Sequence, residues 1–131
     1  MSAPQAATGL PGALDGIKVL ELASEHAAWA GKLLAELGAD VIVVEPPGGH
    51  PSRAYGPFLD DEPGPERGLF WWNYNTSKRS VVLDLSVADD AARFRDLAAD
   101  ADIVLEGEPA GRLAELGIDH DSVRADHPEL V

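Results

Sequence analysis

Ser24, Glu25 and His26 bring the residue types of a nucleophilic triad into one short stretch. Neighbours in sequence do not converge as a triad, and no strand-turn-helix nucleophile elbow surrounds the serine. Ser24 reads better as a helix N-cap. The histidines at positions 26, 50, 120 and 127 lack metal-ligand spacing, and there is no cysteine, so no metal site is expected. Glu45 ends an apolar run, where an acid would hold the ribose of a dinucleotide. The glycine fingerprint that must accompany it is missing: the first turn reads A-S-E-H-A-A. Trp71, Trp72 and Tyr74 could stack a base, although such clusters more often build a core or an interface. Lys78-Arg79 is the densest positive charge in the chain.

The elements that must position these groups follow from periodicity. Ile17, Val19, Leu20 and Leu22 form a short apolar run, and Val41 to Val44 form a second. Between them, Ala30, Leu33, Leu34 and Leu37 recur at helical spacing over about 25–37, with Gly38 as the stop. This is a βαβ unit, whose right-handed crossover lays the helix on one sheet face. Residues 80–85 predict a third strand, 88–99 a helix and 102–105 a fourth strand. Ala91, Ala92, Phe94 and Leu97 are that helix's expected buried positions. A short helix over 109–116 stops at Gly117, Asp119 or Asp121 caps another, and residues 129–131 read as the opening of a fifth strand. The fold class is therefore α/β, a parallel sheet with helices on both faces. The proline- and glycine-rich stretch 46–68 is a long loop, and long loops are often functional. Residues 1–13 read as a disordered leader, and 14–131 as one folded unit.

Charge narrows the function. The net charge of −13, from 10 basic and 23 acidic residues, argues against nucleic-acid binding, which needs a basic surface. No run approaches the ~18–20 apolar residues of a membrane span, and the absence of cysteine fits a cytoplasmic protein. In such a sheet, ligands bind beyond the carboxyl ends of the strands, here 23–26, 45–46, 85–86 and 106–108.

Five segments together resemble the N-terminal part of family III CoA-transferases, the group of formyl-CoA transferase, carnitine CoA-transferase and α-methylacyl-CoA racemase. They are LDGIKVLEL (14–22), LLAELGADVIVVEPPGGHPSR (33–53), SKRSVVLDL (77–85), ADADIVLEGEPAGRLAELGI (99–118) and HPELV (127–131). The resemblance implies a Rossmann-like sheet, incomplete relative to the family's full large domain. It implies coenzyme A or an acyl-CoA thioester as substrate, moved between carboxylic acids, and an interlocked homodimer or association with the rest of a longer enzyme. It places Leu83, Asp84 and Leu85 against CoA. It puts the nucleophilic aspartate beyond Val131, so no catalytic residue is expected in this segment, which alone is expected to be inactive.

The sequence also departs from the family pattern. Pro46 follows Glu45 where an arginine is frequent, Ser86 replaces a base, Gly107 and Glu108 replace N-F/Y, and Glu115 replaces a phosphate-binding arginine. Arg112 lies one turn before Glu115, and Arg53, Lys78 and Arg79 remain as cations. These losses motivate an alternative: a catalytically degenerate copy of the domain kept for assembly. A dinucleotide-binding domain is the third reading. Sheet edges and interface surface are expected to make the isolated chain self-associate, with Trp71 and Trp72 among the exposed residues.

Overall fold

A computed structural model describes residues 11–125 and 127–131; most of the expected leader lies outside the described residues. The elements run β1 (Lys18–Leu22), α1 (Ala28–Glu36), β2 (Asp40–Glu45), α2 (Leu69–Asn75), β3 (Arg79–Val82), α3 (Ala88–Ala99), β4 (Ile103–Leu105), α4 (Arg112–Glu115) and α5 (His120–Arg124). The strands form one parallel sheet in the order β3-β2-β1-β4. Val131 extends it: its N–H donates to the Asp102 carbonyl (3.1 Å) and its carbonyl accepts from Val104 N–H (2.8 Å), the two bonds of a parallel bridge to β4.

Register decides which face each side chain takes. Leu20 opposes Ile42 and Leu22 opposes Val44. These four pack with Leu83, Phe94, Ala98, Ile118 and Val123 in a core beneath α3 and α5. On the other face, Val19 and Val41 pack with Ala35 and Ala39 at the end of α1. Glu21 and Glu45 fall on this second face, because side chains alternate along a strand. Both are buried, at 0% and 2% exposure.

Buried carboxylates change how α1 packs. Most of the expected apolar stripe is not its buried face: Ala30, Leu33 and Leu37 are exposed, only Leu34 packs against the core, and the helix turns Ala28, Gly31 and Ala35 inward. Small residues let the helix approach β1 while Glu21 fills the space between. A Cβ built on Gly31 would stand 1.7 Å from Glu21 Oε2 and 3.0 Å from Lys78 Nζ. Gly31→Ala would ordinarily favour a helix. Here the clash is expected to make it destabilising by about 1–3 kcal/mol, read as a lower urea midpoint at unchanged slope.

Other boundaries shift for local reasons. α1 begins at Ala28, not 25, since Ser24 caps the preceding turn, accepting from His26 N–H (3.1 Å). β3 ends at Val82, three residues before expectation: Leu83 N–H still reaches the Glu45 carbonyl (3.0 Å), but β2 stops there, and Pro46 and Pro47 have no N–H to continue the ladder, while Asp84 N–H donates to Asp90 Oδ2 (2.8 Å). α3 spans 88–99 as predicted, but Ala98 is buried and Ala92 exposed. α4 starts after Gly111, whose φ of 89° cannot continue a helix. The aromatic stretch is a helix, α2. It buries Trp71 (8% exposed) and leaves Trp72 outside (42%), so only Trp72 meets the expectation of exposure.

Candidate functional site

The parallel strands release their chain ends along one edge, where a cleft of about 290 Å³ opens. Leu22 and Ala23 from β1, Val44 to Pro47 from β2, and Leu83 to Ser86 after β3 line it, with His50, Glu108 and Arg112 at its rim. The three residues expected to meet CoA are thus together on its wall. Their side chains do different things. Leu83 is buried in the core beneath α3. Asp84 closes a turn, accepting from Ser86 N–H (3.0 Å) and Ser86 Oγ (2.5 Å). The Ser86 hydroxyl, then its backbone N–H, holds the Asp84 carboxyl below the ordinary aspartate range. What this stretch can offer a ligand is backbone: among the described residues, the Leu83 carbonyl and the Leu85 N–H have no protein partner. Free amide groups beside Leu85 suit the edge of a planar, hydrogen-bonding group.

The loop after β2 is tied down by Glu45. Arg53 donates to it through both nitrogens of its fork, Nε to Oε2 (2.6 Å) and an η nitrogen to Oε1 (2.7 Å). His50 N–H adds 2.9 Å to Oε2, and Ser80 Oγ donates to Oε1. Burial alone would raise the Glu45 pKa; the Arg53, Ser80 and His50 hydrogen bonds outweigh it and lower the value to about 2. The Arg53 guanidinium lies over the Trp71 ring at 4.1 Å. Glu45 is therefore a structural anchor and holds no free oxygen for a ribose.

Residues 14–131 match the sequence pattern of CoA-transferase family III. The chain belongs to that family. It is 42% identical over 122 residues to a succinate–glutarate CoA-transferase of Agrobacterium fabrum, covering 90% of this chain and 30% of that protein. It is 36% identical over 121 residues to a succinyl-CoA:mesaconate CoA-transferase of Haloarcula hispanica, covering 92% and 31%. Among solved structures, a CAIB/BAIF family protein from Brucella suis superposes with a TM-score of 0.85 at 38% identity, over 93% of this chain and 32% of that one. The chain spans about a third of the length of the relatives it matches.

Within this family III chain, the positive groups counted from the sequence are mostly committed elsewhere. Arg53 is locked on Glu45, and Arg79 at the amino end of β3 pairs with Asp40 (3.0 Å from Nε). Lys78 is buried against Glu21, 2.8 Å from Oε2. Arg112 stays at the cleft, half exposed and 3.4 Å from Glu115. Ser24, Glu25 and His26 do not assemble: Ser24 caps a turn, Glu25 accepts from Tyr55 OH (2.7 Å), and His26 is exposed. The Glu45–Arg53 and Glu21–Lys78 pairs were not anticipated. Their signal was present as an acid at an inward position of each buried parallel strand, a place that only a paired charge can occupy.

Proposed function

We propose that this chain forms the CoA-facing edge of an enzyme that moves CoA between carboxylic acids. The observation that carries the reading is the cleft at the strand ends, lined by Leu83 and Leu85, whose carbonyl and N–H respectively have no protein partner among the described residues, in a chain of CoA-transferase family III. Leu83, Asp84 and Leu85 bind, the first and last through backbone, and Asp84 by shaping the turn. Residues 14–131 supply binding and no covalent step; an aspartate nucleophile is contributed from beyond Val131. Dicarboxylates are the acids to test first, since the relatives' names include succinate, glutarate and mesaconate. The same proposal includes a homodimer and a cytoplasmic location.

The test is transfer by the whole protein. Succinyl-CoA offered with glutarate or mesaconate is expected to yield the corresponding new thioester, seen by mass spectrometry, and light scattering is expected to give a dimer. A second reading, a degenerate domain kept for assembly, is favoured by one observation: among the described residues that line the cleft, Asp84 and Glu108, which carry no cation of their own, outnumber Arg112. Calorimetry separates the two. No heat on titrating CoA or succinyl-CoA into the whole protein would support the degenerate reading and remove the transferase one.

A further inference from the structure

His50 sits where the loop after β2 joins the cleft wall. Its ring is held in one chemical form. Nδ1 accepts from Ser52 N–H (3.2 Å) and lies 2.7 Å from Ser52 Oγ. A backbone N–H can only donate, so Nδ1 carries the lone pair and the neutral ring carries its proton on Nε2. Burial pushes the imidazole pKa below its ordinary value, against the opposing pull of Glu25, Glu45 and Glu108, which keeps the ring neutral. The ring stacks on Trp71 at 6.3 Å and 28°, so its plane is set. Its backbone N–H is fixed on Glu45. Among the described residues, Nε2 has no hydrogen-bond partner, which leaves an oriented donor unspent on a residue that lines the cleft.

We propose that His50 Nε2–H is a ligand-binding group that donates to a neutral carbonyl oxygen of acyl-CoA, an amide or the thioester of the pantetheine arm. The inference rests on the CoA-transferase reading above. The neutral class follows from the surroundings. Glu25 and Glu108 act electrostatically on this ring, while the charge of Glu45 is met by Arg53, so a phosphate or carboxylate oxygen there would face two uncompensated carboxylates. An uncharged carbonyl accepts the same hydrogen bond without that cost.

The test uses the whole protein with two ligands, CoA and adenosine 3′,5′-bisphosphate, which lacks the arm. His50→Asn keeps an acceptor for Ser52 N–H and removes the Nε2 donor. CoA is expected to bind about 3- to 10-fold more weakly to the variant, with unchanged affinity for the bisphosphate and an unchanged unfolding midpoint. In the unsubstituted protein, nitrogen NMR of the His50 ring is expected to show the Nε2–H form, with a shift on adding CoA that the bisphosphate does not reproduce. Equal CoA affinity of variant and parent would overturn the inference, as would an equal loss for both ligands or an Nδ1–H ring. A parent protein that binds no CoA at all would overturn the CoA-transferase reading and this inference with it.

Discussion

Lys78→Met alone is expected to cost about 3–5 kcal/mol of unfolding free energy, whereas Glu21→Leu combined with Lys78→Met is expected to leave stability unchanged or higher. The two side chains are each about 1% exposed, so neither charge has water to fall back on. Lys78 Nζ is fully engaged, donating to Glu21 Oε1 (3.0 Å), the Ala28 carbonyl (2.9 Å) and Asn75 Oδ1 (3.1 Å). Glu21 fares worse. Its Oε2 is 2.8 Å from Lys78 Nζ but lies off the hydrogen-bonding direction and has no other partner among the described residues. Burial is the largest influence on both groups, pushing the Glu21 pKa up and the Lys78 pKa down, and their mutual attraction only partly opposes it. Such a pair is poorly compensated, so removing both charges loses little. Removing Lys78 alone strands a carboxylate between α1 and the sheet. Urea unfolding followed by tryptophan fluorescence measures both variants. A single-variant cost below about 1 kcal/mol would show that Glu21 finds water or a proton without its partner.

Arg53→Ala is expected to show the second large effect, a comparable loss of about 3–5 kcal/mol, and, under the proposed function, weaker CoA binding as the loop carrying Pro46, Pro47 and His50 moves. Arg53→Lys keeps the charge but not the two-pronged geometry or the stacking on Trp71, so it is expected to recover only part of the loss. The same anchor predicts an acid limb in stability. The Glu45 pKa is about 2 in the fold against 4.5 for an unperturbed glutamate. A depressed carboxylate contributes stability that is fully present above pH 4.5 and is lost as pH falls toward 2. The amount is about 3 kcal/mol. Glu21 acts in the opposite sense: its raised pKa gives a contribution present below pH 4.5 and lost as pH rises through its folded value. Glu45→Gln therefore isolates the limb. The parent should lose stability between about pH 5 and 2, and the variant should be flatter over that window. An unchanged slope in Glu45→Gln would mean that other carboxylates set the acid limb.

Local chemistry made much of this protein readable in one dimension. Two short, mainly apolar runs around an intervening helical segment specify parallel strands, since strands covered on both faces lose most of their polar alternation. The absent glycine fingerprint argued against a dinucleotide turn, and Asp89 and Asp90 ahead of an apolar stripe marked α3 to the residue. The family pattern was likewise carried by short segments in order. What tertiary structure alone decided was the fate of the charges and of the aromatic pair. Glu21 and Lys78 are 57 positions apart, and nothing local says that α1 will present small residues over that acid. Trp71 and Trp72 are equivalent as letters, but about 100° of helical rotation separates them, so one lies under Arg53 and the other faces solvent. Leu83 to Leu85 read as strand by propensity, yet the strand beside them stops at Glu45 and runs into two prolines without N–H groups, so the Leu83 carbonyl and Leu85 N–H find no sheet partner among the described residues. In each case the deciding partner comes from another element, and strand register and helix rotation determine which groups meet.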